Sequence, residues 1–365
     1  MASLRADRPR VLHVVPALFG PQGVVGGAER YAYELARHMA RVVPTTLVAY
    51  GEADREEFHG ALRVRVFGRP WHVRRQTSNP FSVRILREIL RADIVHCHQQ
   101  HILTSSVAAA AARLSGRRVY CSDLGGGGWD ISAYISTDGW YHAHLHISQY
   151  SRDVFGHRDR DNAIVIYGGV DCETFAPDPS RERTLDCVFV GRLLPHKGVD
   201  VLIEGLPPGC RLMVIGPALD QRYLHDLQRL AQGKSVMFIH SADDHMVVDA
   251  YRRARCVALP SVYRDRYGGE TRVPELLGQT LLEGMACGAA GLCTDVASLP
   301  EVVRHGETGL VVPPGDPRAI GRALQWFMDH PEETTAMGRA GREHVLSTFR
   351  WDLVVGRCLQ AYGVA

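Results

Sequence analysis

Short apolar runs alternate with segments of helical spacing along most of the chain. In the first half these runs predict strands at 10–16, 45–49, 94–97, 118–121, 144–147 and 164–167. Between the first two, apolar residues recur every three or four positions and predict a helix at 29–40. Brief runs that are apolar at successive positions are typical of strands buried on both faces in a parallel sheet.

The second half repeats the pattern. Apolar runs predict strands at 187–190, 211–215, 235–239, 256–259 and 291–293, with helices between them. Two such series predict two α/β domains with doubly wound parallel sheets, which bind ligands at the carboxyl ends of their strands. The last segment, 351–362, has helical spacing, and the spacing alone is compatible with a terminal helix on the second domain.

Two basic residues follow the run 187–190. Arg192 and Lys197 lie between Gly191, where the run ends, and a helical pattern that starts near Gly198. This places them on a loop at the ligand-binding edge of the second sheet. Arginine offers phosphate a planar fork and lysine a compact charge, so the loop predicts a phosphate site. A solvated surface pair is the alternative.

Two acids, Glu275 and Glu283, stand on either side of Gly278. On one continuous helix, eight steps of about 100° would turn the second acid about 80° away from the first. Gly278 therefore predicts a turn, and 280–283 predicts a capping box that opens a helix. The N–H groups of a helix start attract an anion, and Glu275 could accept hydrogen bonds from sugar hydroxyls, which suits a sugar joined to phosphate. The plainer alternative is a capping acid and a surface acid.

Further motifs stand in a defined order around these residues. They are the segments 298–303 and 309–316, the interdomain-like segment 166–175, and Gly26-Gly27 followed by 28–30 near the amino end. Together with Gly191-Arg192, Lys197-Gly198 and the two acids, they resemble retaining glycosyltransferases of the GT-B fold, family four. The resemblance covers nearly the whole chain and is strongest from about 164 to 317.

The resemblance implies two Rossmann-like, doubly wound domains that face a cleft. We expect an N-terminal acceptor-side domain at 1–170, a C-terminal nucleotide-sugar-binding domain at 171–348, and a helix at 349–365 that crosses back to the first domain. The implied function is transfer of a sugar from a UDP- or GDP-sugar to a small-molecule or cell-envelope acceptor, with retention of anomeric configuration. A non-catalytic nucleotide-sugar-binding protein and a GT-B epimerase or phosphorylase are the alternatives.

The resemblance also implies roles for individual residues. Glu283 would hold the ribose and Glu275 the transferred sugar, while a leaving phosphate oxygen would take the acceptor proton in a front-face attack. The predicted catalytic residues are Glu275, Arg192, Lys197 and Asp123. The predicted donor-binding residues are Gly26, Gly27, Arg192, Lys197, Glu275, Leu277, Gly278, Gln279, Thr280 and Glu283.

The acceptor side departs from the family pattern. Many relatives end the strand equivalent to 118–121 with a histidine that contacts the donor sugar, whereas this chain continues with Ser122, Asp123 and four glycines at 125–128. Asp123 would either bind a sugar hydroxyl or an acceptor amine, or cap the glycine loop. The glycines permit close approach of a ligand and also suit a mobile loop. The predicted acceptor-binding residues are His98, Asp123, Gly125, Gly126 and Trp129.

Length and composition narrow the class of protein. A chain of 365 residues suits two domains, and 45% hydrophobic content with a formal charge of +2 excludes a disordered or nucleic-acid-coating protein. No apolar run reaches membrane-spanning length and residues 1–8 lack a signal-peptide core, so we expect a cytoplasmic protein. The nine scattered cysteines predict buried hydrophobes rather than disulfides or zinc ligands.

Neither a metal nor a cofactor is expected, and the expected partners are the nucleotide-sugar donor and a small-molecule or glycan acceptor. No Asp-x-Asp metal-binding motif stands at a suitable position. Two clusters of histidines lack the acids or paired cysteines that would complete a metal site, so we interpret the histidines as cleft or packing residues. The clusters are His96, His98 and His101, and His142, His144 and His146. The stretch 63–91 is basic, with eight arginines and a single acid, Glu88. We interpret it as a solvated face, in preference to a surface that contacts an anionic membrane or a phosphorylated acceptor. No nucleic-acid partner is expected, and the oligomeric state is left open.

Overall fold

A computed structural model describes residues 8–18 and 26–364 of the chain. Residues 1–7, on which the expectation of no signal peptide rests, lie outside the described residues. The chain divides into two compact units. One contains the chain up to Gly169 together with the segment from Trp351 onward, and the other is Val170–Arg350.

The first unit is built on an eight-stranded sheet with the order β10-β9-β8-β7-β1-β2-β4-β3. Its strands are β1 (Val11–Leu18), β2 (Thr45–Gly51), β3 (Arg55–His59), β4 (Leu62–Gly68), β7 (Ile94–Cys97), β8 (Arg118–Cys121), β9 (Ala143–His146) and β10 (Ala163–Val165), with β5 (Trp71–His72) and β6 (Pro80–Phe81) paired separately. All pairs within the large sheet are parallel except β3 with β4. The chain reverses its direction of winding between β1 and β7, which is where doubly wound sheets bind ligands.

The helices of the first unit are α1 (Gly27–Met39), α2 (Ile85–Arg91), α3 (Leu103–Leu114), α4 (Gln149–Val154) and α12 (Trp351–Ala361). Every residue of β7 and β9 is buried, as expected for strands covered on both faces. The last helix lies in the first unit: the ring of Trp351 is 5.5 Å from that of Tyr31 on α1, and the hydroxyl of Tyr362 is 2.6 Å from Nδ1 of His96 on β7.

The second unit has a six-stranded, fully parallel sheet with the order β13-β12-β11-β14-β15-β16. The strands are β11 (Leu185–Val190), β12 (Leu212–Ile215), β13 (Val236–Ile239), β14 (Ala254–Leu259), β15 (Ala290–Thr294) and β16 (Gly309–Val312). The helices are α5 (Val199–Glu204), α6 (Gln221–Leu230), α7 (Asp244–Arg253), α8 (Gln279–Ala286), α9 (Leu299–Val302), α10 (Pro317–Asp329) and α11 (Pro331–Thr348). The winding reverses between the adjacent strands β11 and β14, so the loops that follow these two strands meet at the ligand-binding edge.

None of the helices within 8–18 and 26–364 is long and apolar enough to cross a membrane. All nine cysteines are free, and the eight that are buried act as small core residues, as predicted, whereas Cys172 is only partly buried.

Candidate active site

A buried ion pair joins the two loops at the switch point of the second sheet. Lys197 follows β11 and Glu275 lies on the long loop after β14; Nζ of the lysine is 2.5 Å from Oε1 of the glutamate. Only 9% of Glu275 is exposed. The structure therefore brings together two predicted site residues that are 78 positions apart in the chain.

Glu275 is held by further contacts from the same sheet edge. The hydroxyl of Ser261 donates to Oε1 at 2.7 Å, and the hydroxyl of Ser298 donates to the backbone carbonyl of Glu275 at 3.4 Å. Thr294, at the end of β15, donates to the carbonyl of Ser261 at 2.6 Å. Within the described residues no donor reaches Oε2 of Glu275, so one oxygen is anchored and the other remains available to a ligand.

Gly198 allows the loop that carries Lys197 to lie close to the loop that follows β14. Gly198 has φ of +66°, and a Cβ there would lie 2.0 Å from the carbonyl oxygen of Pro260. The neighbouring loops are further tied by the N–H of Val262, which donates to the carbonyl of His196 at 2.9 Å. A side chain at position 198 would thus both strain the backbone and push the two loops apart.

The start of α8 differs from the prediction. The expected capping box at 280–283 is wrong: the helix begins at Gln279, Gly278 is the N-cap with φ of +86°, and no side chain caps the first turn. The hydroxyl of Thr280 is buried without a hydrogen-bond partner among the described residues. The left-handed conformation of Gly278 starts the helix two positions earlier than the predicted N-cap at Thr280, while Leu277 packs in the core.

Glu283 consequently lies in the second turn of α8 and is not a capping acid. It is buried, and the hydroxyl of Tyr251 on α7 donates to its Oε2 at 3.3 Å. Tyr251 is itself fully buried. Sequence reasoning missed this tyrosine because α7 and α8 are brought together only by the fold.

Arg192 lies on the same loop as Lys197 but is exposed. Its guanidinium forms no ion pair or hydrogen bond within the part of the chain that the structure describes, so it remains available to an anion. Between the two cations, His196 is partly buried, and this burial, followed by the charge of Lys197, lowers its pKa. His196 and Ser261 were both missed, although each lies on a loop that follows a predicted strand, where the same edge rule could have found them.

In the first unit, Asp123 closes the turn that follows β8. Its Oδ1 accepts from the N–H of Gly125 at 3.1 Å, which is the capping alternative. Burial raises the pKa of this carboxyl, against the opposing effects of His101 and of the Gly125 N–H. Gly125 and Gly126 have φ of +81° and +85°, and a Cβ on Gly126 would lie 2.9 Å from Nε2 of Gln99. These glycines are required by the backbone of the turn.

Gly26 and Gly27 open α1. Gly26 is the N-cap, with φ of +103°, and its carbonyl accepts from the N–H of Arg30 at 3.1 Å. Residues 19–25, which complete the loop between β1 and α1, lie outside the described residues.

His98 and His96, which the sequence analysis grouped, form a buried cluster with His13, a residue that spacing along the chain did not reveal. Its Nε2 is 2.8 Å from Nδ1 of His13 on β1, and His96 on β7 packs against both rings. Ser122 and Tyr362 hydrogen bond to the two nitrogens of His96. His101, predicted in the same group, is instead exposed and bonded to Ser132. The packing interpretation fits this network because both nitrogens of His96 already have partners.

The second histidine group does contain an acid, contrary to the sequence analysis. Asp138, His144 and His157 place one ligand atom each within 4.8 Å of one another. Asp138 is already engaged, however, by Arg160 at 2.6 Å and by Gln100 at 2.5 Å. His142 lies apart, where its Nδ1 accepts from the N–H of Val119.

The comparisons with known proteins concern the family and the fold. Residues 173–344 match the sequence profile of the glycosyl transferases group 1, and residues 25–174 match that of glycosyltransferase family 4. This chain belongs to the group 1 glycosyltransferases. The family assignment made from the motifs is thereby confirmed.

Two similar proteins are named for glycosyl transfer. The GDP-mannose-dependent alpha-(1-6)-phosphatidylinositol monomannoside mannosyltransferase of Mycolicibacterium smegmatis is 31% identical over 227 residues, which are 56% of this chain and 58% of that protein. The D-inositol 3-phosphate glycosyltransferase of Corynebacterium glutamicum is 31% identical over 232 residues, 57% of this chain and 53% of that protein. The chain thus matches little more than half the length of these relatives.

Among solved structures, HepE of Anabaena in complex with UDP-glucose is similar to this chain with a TM-score of 0.74. The match covers 98% of this chain and 100% of that one at 18% identity. It shows that the two units have the GT-B fold, as predicted. That the two domains face a cleft stays a prediction.

Proposed function

We propose that this group 1 glycosyltransferase transfers a sugar from a nucleoside-diphosphate sugar to a small-molecule or cell-envelope acceptor, with retention of configuration and without a metal ion. The observation that carries the proposal is the Lys197–Glu275 pair at the switch point between β11 and β14. A cation and a carboxylate fixed side by side match a ligand in which phosphate is joined directly to a sugar.

The diphosphate is assigned to the cations and to the start of α8. Lysine has three N–H donors and Glu275 accepts one, so Lys197 can also bind a phosphate oxygen. Arg192 adds a second cation on the same loop, and the uncapped first turn of α8 adds the positive end of a helix. As the glycosidic bond breaks, these groups stabilise the charge on the leaving diphosphate, which is the task a metal ion performs in other enzymes.

The transferred sugar is assigned to Glu275. Its Oε1 is anchored by Lys197 and Ser261, which leaves Oε2 to accept a hydrogen bond from a sugar hydroxyl. The fixed negative charge also favours positive character at the sugar ring in the transition state. Glu275 is thus a positioning and electrostatic group rather than a covalent nucleophile, and a leaving phosphate oxygen takes the acceptor proton on the same face. Glu283 is assigned to the ribose hydroxyls.

The acceptor is assigned to the ligand-binding edge of the first unit, around His98, Asp123 and Trp129. The donor base is left between uridine and guanosine, because the similar mannosyltransferase is named for GDP-mannose and HepE was crystallised with UDP-glucose.

A donor screen tests the proposal. UDP-, GDP- and ADP-sugars are added in thermal-shift experiments, and one base should stabilise the protein. At a ligand concentration of 100 Kd the gain is about 2.7 kcal/mol, or roughly 5–10 °C for a unit of this size. Absence of a shift with every donor would contradict donor binding.

Measurements of turnover test catalysis, metal independence and retention of configuration. Release of nucleoside diphosphate with a suitable acceptor separates the enzyme from a non-catalytic binder, and activity should survive EDTA. The anomeric configuration of the product is read by NMR, where inversion would overturn the retaining assignment.

A further inference from the structure

Three arginines in the first unit adopt a backbone conformation that side chains rarely take. Arg69, Arg74 and Arg75 have φ of +50°, +50° and +60°. Apart from Ala297, every other described residue with positive φ is a glycine. Left-handed backbone at a non-glycine residue persists only where its surroundings impose it, and such residues concentrate at functional sites.

A hydrogen-bonded turn imposes the conformation of Arg74 and Arg75. Val73, buried just before them, donates its N–H to the carbonyl of Asn79 at 3.1 Å, and Gln76, just after them, donates to the carbonyl of Val73 at 3.0 Å. The N–H of Asn79 in turn bonds the carbonyl of Gln76 at 3.0 Å. The two arginines therefore project from a closed loop rather than from a freely moving one.

The same turn is bound to the glycine loop that follows β8. Asn79, fully buried, donates from Nδ2 to the carbonyl of Trp129 at 2.7 Å, and Gln76 accepts from the N–H of Trp129 at 2.8 Å. Ser78 donates to the carbonyl of Gly127 at 3.2 Å. The guanidinium carbon of Arg74 then lies 4.2 Å from the centre of the Trp129 ring. Stacking on an aromatic face fixes the plane of a guanidinium while its N–H edge can still bind a ligand.

Charge pairing divides the basic stretch 63–91 into two groups. Four arginines form ion pairs with acids of the same unit: Arg63 with Glu56 and Glu88, Arg65 with Glu56, Arg84 with Asp54, and Arg91 with Glu88. For the paired group, the solvated-face interpretation holds. Arg74 and Arg75 are exposed and have no carboxylate partner among the described residues.

We propose that Arg74 and Arg75, held beside Trp129, form a subsite for an anionic group, a phosphate or a carboxylate, on the acceptor. The inference rests on the proposed function, because it names the class of acceptor. The guanidinium of Arg74, oriented by the Trp129 ring, suits the paired oxygens of such an anion, and Arg75 supplies a second positive charge from the next residue of the same closed turn. Their position agrees with the ligand edge, since the glycine loop follows the carboxyl end of β8, two strands from β1 in the sheet.

The test compares charged and neutral sugars by calorimetric titration. The probes are myo-inositol 1-phosphate against myo-inositol, and glucuronate against glucose, so the two arms distinguish phosphate from carboxylate. The nucleoside diphosphate selected by the donor screen is present at saturation, which fills the phosphate site of the second unit. The variants are the double substitution Arg74→Gln, Arg75→Gln and the control Arg87→Gln, an exposed arginine of α2 that likewise lacks an ion pair among the described residues.

The wild-type protein should bind at least one anionic probe about tenfold or more tightly than its neutral partner, and high salt should reduce that preference. The double variant should lose the preference, Arg87→Gln should keep it, and both should bind the nucleoside diphosphate normally. Equal binding of charged and neutral sugars by the wild type, or a preference that persists in the double variant, would overturn the subsite. If the wild-type protein does not bind the nucleoside diphosphate, the proposed function is contradicted instead.

If the double variant fails to fold, the salt dependence of the wild-type preference and the single substitution Arg75→Gln decide the matter. Glutamine retains the backbone strain of the arginine it replaces, so a normal melting temperature is expected.

Discussion

Acid should destabilise the first unit before carboxylates begin to titrate, through the cluster of His13, His96 and His98. His13 is 0% exposed, and burial lowers its pKa from 6.5 to about 3. Burial, together with neighbouring histidines, also lowers the pKa values of His96 and His98. The cluster joins β1 to β7 and, through Tyr362, to the last helix, so protonating it opposes the packing of the unit.

The direction follows from the folded and unfolded pKa values. A folded pKa below the unfolded one means that the unfolded chain binds more protons, so this stability is present above about pH 6.5 and is lost as the pH falls toward 3. For His13 alone, lowering the pH from 7.5 to 5 should cost about 2 kcal/mol of unfolding free energy. Asp123, whose pKa burial raises, acts in the opposite direction and reduces the net change.

The assay is denaturant unfolding followed by tryptophan fluorescence between pH 7.5 and 5. Four of the five tryptophans lie in the first unit, and Trp326→Phe removes the one in the second, so the signal reports the first unit. In that background His13→Asn should lower the unfolding free energy at pH 7.5. The slope of unfolding free energy against pH should be smaller than in the parent, by up to about 1.4 kcal/mol per pH unit. His101→Asn, at an exposed position, is the control. Equal slopes for His13→Asn and its parent would refute the reasoning.

Three further predictions concern the second unit. Lys197→Gln should weaken binding of the nucleoside diphosphate and slow turnover by about one to three orders of magnitude. Lys234→Gln, at the other lysine of the chain, is the control and should leave kinetics unchanged. Equal kinetics of the two variants would remove Lys197 from the site. Glu283→Gln should weaken binding of the nucleoside diphosphate. Calorimetry measures this affinity and thermal melting measures stability; a lower melting temperature with unchanged affinity would indicate a purely structural role. Gly198→Ala should cost about 1–3 kcal/mol of stability and reduce donor affinity, because the new methyl meets the carbonyl of Pro260; a melting temperature equal to wild type would contradict the assigned contact.

The strands were predictable because a parallel sheet covered on both faces needs apolar residues at consecutive positions. The runs 94–97 and 118–121 coincide with β7 and β8, and 187–190 lies within β11. β3 was missed because Arg55–His59 is a polar edge strand with exposed residues, and its conformation depends on antiparallel pairing with β4.

The candidate site was predictable where it depends on strand ends. Arg192, Lys197 and Glu275 follow strands that the sheet order makes neighbours, and the rule for carboxyl edges finds such loops. The rule does not give the conformation within a loop. Gly278 adopts a left-handed conformation and caps α8 itself, so the sequence pattern at 280–283 was mistaken for a capping box.

Contacts between distant segments could not be read from linear spacing. His13 on β1 completes the cluster of His96 and His98, and Asp138 approaches His144 and His157 from a separate turn. Likewise, the arginines between 63 and 91 form one basic run in the sequence, but only the fold shows which of them have acidic partners.

The most direct test of the central claim, that Glu275 contacts the sugar of a donor whose diphosphate is bound by Lys197, compares two ligands in one variant. Affinities for the nucleoside diphosphate and for the intact nucleoside-diphosphate sugar are measured by calorimetry in the wild type, in Glu275→Gln and in the exposed control Glu332→Gln. In Glu275→Gln the nucleoside diphosphate should bind at least as tightly as in the wild type, because Lys197 loses a competing carboxylate, while affinity for the intact donor should fall about tenfold or more. Equal losses for both ligands, or no loss for the intact donor, would contradict the account.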